Sequence, residues 1–207
     1  MARFVLVHGA WHGGWCWERL ARELRQRGHD VSTPDLPCDA LGLTVYDYAD
    51  ATGSDDEAVV VGHSMAGLVI PFVPARLTVF LGALVPAEDG YRGLVPGFPA
   101  TELDELGRSY WATADTAATI LYPDLTPAES AWAFGRLRSQ APIEAVFELP
   151  TGRRASIVTL RDRAIRPDWQ AEQARSVLGV EPLELDAGHS PFITHPLELA
   201  DLLESLA

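Results

Sequence analysis

Val59-Val60-Val61-Gly62-His63-Ser64-Met65-Ala66-Gly67 is the stretch that decides the fold. Three consecutive β-branched residues suit a strand buried on both faces, as in a parallel sheet. Small residues then surround a single serine. Gly62-His63-Ser64-Met65-Ala66 nearly fits Gly-x-Ser-x-Gly, the strand-to-helix turn that lifts a serine hydroxyl clear of the backbone. Strand and helix pass very close at such a turn, so its flanks must be small. Ala66 stands where glycine is usual; its methyl is tolerable if φ is negative there, and Gly67 follows. Pro71 and Pro74 limit the ensuing helix to roughly two turns.

Working outward, Phe4-Val5-Leu6-Val7 is another buried-strand run, stopping at the loop His8-Gly9-Ala10-Trp11. From Trp15 to about Arg27, the apolar Trp17, Leu20, Ala21 and Leu24 recur at helical spacing, and Gly28 ends that helix as its C′ residue. Val31–Thr33 reads as a brief strand, Thr44–Ala51 as a short helix, and Leu77–Leu84 as a strand. Strands alternating with helices argue for a parallel sheet with helices on both faces. Between 86 and 150 strands vanish, and Gly, Pro and aromatics become frequent. Thr126-Pro127-Ala128-Glu129 is a capping box with proline at the first helical position, opening a helix through about Leu137. The sheet resumes with Ser156–Leu160, a helix over Pro167–Val177, the strand Glu181–Leu185 and a last helix, Leu197–Leu206. The expected layout is one domain, with a core of 1–85 and 151–207 and a mostly helical cap of 86–150 over the end of the sheet.

Length, composition and charge narrow the function classes. A chain of 207 residues suits one well-buried domain. Hydrophobic residues at 47% and charged residues at 22% describe a globular chain, not a disordered one. The 16 Lys and Arg against 29 Asp and Glu leave a net charge of −13. Such a surface repels phosphate backbones and anionic membranes, so neither nucleic acid nor a membrane is an expected partner. No apolar run reaches the roughly 18–20 residues of a membrane span. Arg19, Arg22, Arg25 and Arg27 read as the solvated side of one amphipathic helix. Met1-Ala2-Arg3-Phe4 enters a strand pattern at once, with no secretory leader visible. Cys16 and Cys38 have neither metal-like spacing nor a partner motif. These features predict a cytoplasmic protein, monomeric or homodimeric, that acts on a small molecule.

A serine hydroxyl needs a base to take its proton, and the base needs a third group to orient it. Asp186-Ala187-Gly188-His189-Ser190-Pro191 follows a strand and precedes the last helix, which makes His189 the candidate base. Asp162, in Arg161-Asp162-Arg163-Ala164-Ile165 just past a strand, is the candidate acid. Arg161 and Arg163 flank it, and an arginine nearby would compete for its oxygens. Asp186 is too close in sequence to His189 to be preferred. An oxyanion needs two N–H donors: Met65 follows the serine, and Ala10 lies in the loop after the first strand. His8 reads as a hydrogen-bonder holding that loop, and His12, His29 and His195 as surface or helix-end residues. Trp11, Trp111 and Trp132 are candidate walls of an apolar pocket, among cap aromatics that include Tyr110, Tyr122 and Phe134. Trp11 stands out because it adjoins the oxyanion loop. No residue cluster has metal spacing and no glycine loop cradles a phosphate, so no metal and no other cofactor is expected.

Four segments together resemble a known group. They are Phe4-Val5-Leu6-Val7-His8-Gly9-Ala10-Trp11-His12-Gly13-Gly14-Trp15-Cys16-Trp17, Gly62-His63-Ser64-Met65-Ala66-Gly67, Arg161-Asp162-Arg163-Ala164-Ile165 and Ala187-Gly188-His189-Ser190-Pro191. They look like the motifs of the α/β-hydrolase group that contains plant methylesterases and hydroxynitrile lyases. The resemblance runs from Phe4 to the last helix and is loose in the cap. It implies an α/β fold with a mostly parallel central sheet flanked by helices, under a small helical cap. It also implies the chain order nucleophile, acid, base, which Ser64, Asp162 and His189 follow. Hydroxynitrile lyases of this group resemble one another in having threonine after the first motif histidine and lysine after the catalytic one. Here those positions hold Gly9 and Ser190, which favours an esterase. Epoxide hydrolases and dehalogenases of this fold use an aspartate at the elbow, and Ser64 speaks against both. The connection from Val31 to Glu57 and the helix after Ser64 look trimmed relative to the group. The expected function is a serine hydrolase cleaving a small apolar ester, lactone or thioester through an acyl-enzyme on Ser64. The rivals are a cofactor-free lyase or biosynthetic tailoring enzyme with the same pocket, and a non-catalytic binding protein.

Overall fold

Strands without a polar face must be covered on both sides, and such strands form the middle of this molecule. The computed structural model describes residues 1–86, 101–144 and 146–207. In chain order the strands are β1 (Arg3–Val7), β2 (Asp30–Ser32), β3 (Ala58–His63), β4 (Leu77–Leu81), β5 (Glu102–Leu103), β6 (Ser109–Tyr110), β7 (Arg153–Thr159) and β8 (Leu183–Leu185). Every residue of β3 and β4 is buried, as is β1 from Phe4 onward. Six strands form one parallel sheet in the order β2-β1-β3-β4-β7-β8. Leu6 pairs with Val61, and Val61 with Val79, so apolar side chains fill this row of the sheet centre.

The strand order fixes where a site can lie. The chain leaves β1 for β2 on one side, then crosses back to lay β3 on the other. Ligand crevices of open α/β sheets form beyond the carboxyl ends of the strands at this switch point. The two loops that meet there begin at His8, after β1, and at Ser64, after β3.

The helices are α1 (Glu18–Gln26), α2 (Val45–Asp50), α3 (Ala114–Leu121), α4 (Pro127–Phe134), α5 (Pro167–Ser176), α6 (Pro191–Thr194) and α7 (Pro196–Leu206). α1 buries Leu20, Ala21 and Leu24. Gly28, at φ +88°, closes it: the Gly28 N–H bonds Arg25 O and the His29 N–H bonds Leu24 O, the paired bonds of a Schellman end. α4 carries the expected capping box between Thr126 and Glu129. The arginine face of α1 is not simply solvated. Arg19 reaches Glu129 of α4 at 2.8 Å and the Ile193 carbonyl at 3.0 Å, and Arg27 reaches Asp201 and Glu204 of α7.

The structure departs from the sequence reading in several places. After Ser64 come two 3₁₀ turns, Ser64–Leu68 and Ile70–Phe72, not an α-helix, because Pro71 removes a donor that an α-helical turn would need. A further 3₁₀ turn, Gly14–Trp17, precedes α1. β4 stops at Leu81, since Gly82 turns to φ +47°. The stretch expected to lack strands contains the antiparallel hairpin β5–β6, and α4 ends at Phe134, before Leu137. Residues 87–100 and 145 of the expected cap lie outside the described residues.

Gly67 lies where an added Cβ would overlap the Leu84 carbonyl oxygen and stand 3.0 Å from Ala83 Cβ. Gly67→Ala is expected to lower the unfolding free energy by roughly 3 kcal/mol through overpacking. Urea unfolding checks this as a lower midpoint at unchanged slope; an unchanged midpoint would mean that the β4 connection yields freely.

Candidate active site

The elbow is built by exclusion of side chains. Ser64 holds φ +55°, a left-handed conformation that a residue with a side chain rarely adopts. A Cβ on Gly62 would lie 2.6 Å from Ile70, and the Leu84 N–H ties down the Ser64 carbonyl at 3.0 Å. Ala66 is fully buried and is not among the positive-φ residues, so its methyl is accommodated.

The structure brings Ser64, His189 and Asp162 into one line. Ser64 Oγ lies 3.2 Å from His189 Nε2, and His189 Nδ1 lies 2.8 Å from Asp162 Oδ2. An acceptor carboxylate on Nδ1 requires the proton there, which leaves Nε2 as the lone pair facing the serine hydroxyl. Asp162 and His189 are 7% and 1% exposed, so this polar line is shielded from water. Asp162 is fixed by four further donors. The Ala164 and Ile165 N–H groups bond Oδ1 at 2.7 and 2.9 Å, and Thr159 Oγ1 and Gln170 Nε2 bond Oδ2 at 2.8 and 3.0 Å. The flanking arginines do not compete for its oxygens: Arg161 pairs with Asp124 and Asp186, and Arg163 turns to the Thr119 carbonyl.

The loop after β1 is held by a buried imidazole whose tautomer the structure settles. The Leu36 N–H donates to His8 Nε2 at 2.9 Å, so Nδ1 carries the proton and donates to Gly9 O at 2.9 Å. That bond fixes the Gly9–Ala10 peptide plane and therefore the direction of the Ala10 N–H. Burial pushes the His8 pKa down to about 4, so the ring is neutral at pH 7. Gly9 passes so close to the elbow that a Cβ there would stand 2.8 Å from Ser64 Cβ.

Trp11 follows at φ +63°, an outlier for a bulky residue. Residues 109 and 138 help to hold it: Trp11 Nε1–H donates to Ser109 Oγ at 3.0 Å, and the Arg138 N–H bonds Trp11 O at 2.8 Å. Trp111 meets it edge-on at 5.5 Å. Trp132 is not placed with this pair; its ring stands against Trp15 at 5.4 Å, under the Arg136 guanidinium.

His12 corrects the sequence reading most sharply. It is 1% exposed, not a surface or helix-end residue. Its Nδ1–H donates to Ala10 O at 2.8 Å, and its Nε2 accepts the Tyr122 hydroxyl at 2.8 Å. Burial lowers its pKa to about 3. His63 is also buried, and its Nε2–H donates to the His189 carbonyl at 2.7 Å. Its Nδ1 has no partner among the described residues, and burial again favours the neutral ring. Nothing local in the sequence announces these contacts, since His12 and Tyr122 are 110 positions apart and His63 and His189 are 126 apart. Among the described residues no group of three or more His, Cys, Asp or Glu side chains could hold a metal, and no helix is long and apolar enough to cross a membrane.

Unfolding would return His8 and His12 to their ordinary value of 6.5, whereas folded they sit near 4 and 3. Between these limits the unfolded chain binds more protons, so stability is full above about pH 6.5 and falls as pH drops through the window. Urea midpoints at about pH 7.5, 5.5 and 4.5 should decrease by an amount on the order of a few kcal/mol overall. A flat profile would contradict neutral burial. Separately, Gly9→Ala should cut ester hydrolysis roughly 100-fold or more while the fold is retained, since its methyl displaces the serine. Activity near wild type would show that the two loops can part without loss.

Comparison with known proteins identifies the family and the fold. The profile of the Alpha/beta hydrolase family matches residues 4–202. The chain is 30% identical to the carbendazim hydrolyzing esterase of Nocardioides sp. (strain SG-4G), with 100% of both chains covered. That alignment runs over 246 positions against 207 residues here, so the additional length belongs to the relative. Salicylic acid-binding protein 2 of Nicotiana tabacum is 27% identical over 97% of this chain and 95% of its own. A crystal structure of polyneuridine aldehyde esterase superposes with a TM-score of 0.82 at 19% identity, covering 100% of this chain and 99% of the other, and so shares the fold. The chain belongs to the alpha/beta hydrolase family.

Proposed function

We propose that the protein is a serine carboxylesterase in which Ser64 is the nucleophile, His189 the general base and acid, and Asp162 the group that orients His189. The observation that carries this reading is the left-handed Ser64 within hydrogen-bond reach of a histidine that is itself bonded to a buried aspartate. The family's esterase relatives support the same reaction class.

In this mechanism Ser64 Oγ attacks the ester carbonyl as His189 Nε2 takes its proton. Negative charge gathers on the former carbonyl oxygen, where the N–H groups of Ala10 and Met65 would receive it. Among the described residues the Ala10 N–H has no other acceptor. His189 then protonates the departing alcohol, and water enters by the same route in reverse to release the acid. Asp162 keeps the imidazole oriented and stabilises the imidazolium. No metal or organic cofactor takes part in these steps. The substrate class is a small, fairly apolar ester, lactone or thioester, with Trp11 and Trp111 as apolar walls beside the oxyanion loop.

Two features favour hydrolysis over lyase chemistry in the same pocket. Gly9 leaves no room for even a Cβ beside Ser64, and the residue after His189 is Ser190, 2% exposed, which supplies no cation for an anionic leaving group.

Ser64→Ala should lower kcat on short-chain p-nitrophenyl esters by at least about 10⁴-fold and abolish labelling by a fluorophosphonate probe, with the fold unchanged. Turnover within tenfold of wild type would sink the assignment.

A further inference from the structure

One turn of the chain between α3 and α4 meets the core at both catalytic loops. Tyr122 reaches His12 beside the oxyanion loop, and Asp124 reaches the loop that carries His189. The Asp124 carboxylate accepts the Gly188 N–H at 2.6 Å, one residue before His189. The same oxygen takes Arg161 at 3.2 Å; Arg161 also binds Asp186 at 2.6 Å and gives its own backbone N–H to Ala187 O at 2.9 Å. Asp186, Ala187 and Gly188 are therefore tied one after another. The Asp124 side chain is 18% exposed, which places its carboxylate largely under the turn. Contact on this side is close: a Cβ on Gly188 would stand 2.6 Å from Pro123 Cγ and 3.1 Å from the Asp124 carboxylate.

We propose that Asp124 is a positioning residue for His189, holding the Gly188 amide so that the imidazole stands in line between Ser64 and Asp162. The proposal rests on the reading of those three residues as a triad. Asp162 bonds the ring at Nδ1 and sets its tilt, but a ring also has to start from the right place on the main chain. Two bonds fix that place. His63 holds the His189 carbonyl from the sheet side, and Asp124 holds the preceding amide from the α3–α4 side. A carboxylate-to-amide bond is charge-assisted and about twice as strong as a neutral one. Displacing a catalytic group by about 1 Å can cost up to roughly 100-fold in rate, so a little slack at Gly188 has a large effect. In this arrangement the base is in register only while the α3–α4 turn is seated. That turn is then part of the catalytic machinery's support.

The test compares wild type, Asp124→Ala and Asp124→Asn. Asparagine keeps an oxygen to accept the Gly188 N–H but loses the charge that pairs with Arg161. Asp124→Ala should lower kcat on a p-nitrophenyl ester by about tenfold or more, with KM changed less than about threefold, and Asp124→Asn should recover most of that loss. The far-downfield proton signal of His189 Nδ1–H, identified by its absence in His189→Gln, should broaden or vanish in the alanine variant and persist in asparagine. Thermal melts should place all three within a few degrees. An alanine variant with wild-type kcat overturns the proposal, as does an asparagine variant as impaired as alanine, which would assign the effect to the Arg161 ion pair. Failure of wild-type Ser64 to react with a fluorophosphonate would instead overturn the triad reading. The imidazole signal still decides the positioning role in that case: unchanged in Asp124→Ala, it refutes it.

Discussion

The structure depends on the close approach of two loops, the one after β1 and the one after β3, at the switch point of a parallel sheet. Neither Gly9 nor Gly62 can bear a side chain, because Ser64 Cβ and Ile70 already occupy the space. Packing this tight pushes Ser64 into φ +55° and presents its hydroxyl to His189. A backbone so strained persists only where its surroundings over-determine it. Here they do so through the buried strands β1, β3 and β4 and the bond from Leu84 to the Ser64 carbonyl.

A second constraint follows from burying polar rings around that point. His8, His12 and His63 are each almost inaccessible, and burial favours the uncharged form in all three. A neutral imidazole is a rigid donor–acceptor pair, so His8 and His12 each link two fixed groups, while His63 holds one through Nε2. His8 joins Leu36 to Gly9, His12 joins Tyr122 to Ala10, and His63 buttresses His189. Geometry in the site is therefore set by hydrogen bonds in a water-poor interior, where they are electrostatically stronger than at the surface.

The parts of this arrangement legible in the sequence are those that one segment dictates. Val59-Val60-Val61 before Gly62-His63-Ser64 announces a buried strand and an elbow, and the Gly188-His189 loop and Asp162 follow strands by the same logic. The α1 end at Gly28 and the Thr126 capping box are equally local. What escaped involves partners far apart in the chain or a choice among near-equal local conformations. His12 reads in the sequence as a surface or helix-end residue because its partner Tyr122 lies 110 positions away, and Asp124 meets Gly188 across 64. Trp132 shared the aromatic character of Trp11 and Trp111 but packs on Trp15, which composition could not foresee. The helix expected after Ser64 became 3₁₀ turns because Pro71 tips a short segment away from α-helical bonding.

The central claim is that catalysis passes through a covalent bond to Ser64. Its most direct test is rapid acid quenching of the wild-type protein during turnover of a p-nitrophenyl ester, followed by peptide mass mapping. The acyl mass is expected on the peptide that contains Ser64, accumulating as p-nitrophenol is released. Continued turnover with that peptide unmodified, or with the acyl group on another residue, would contradict it.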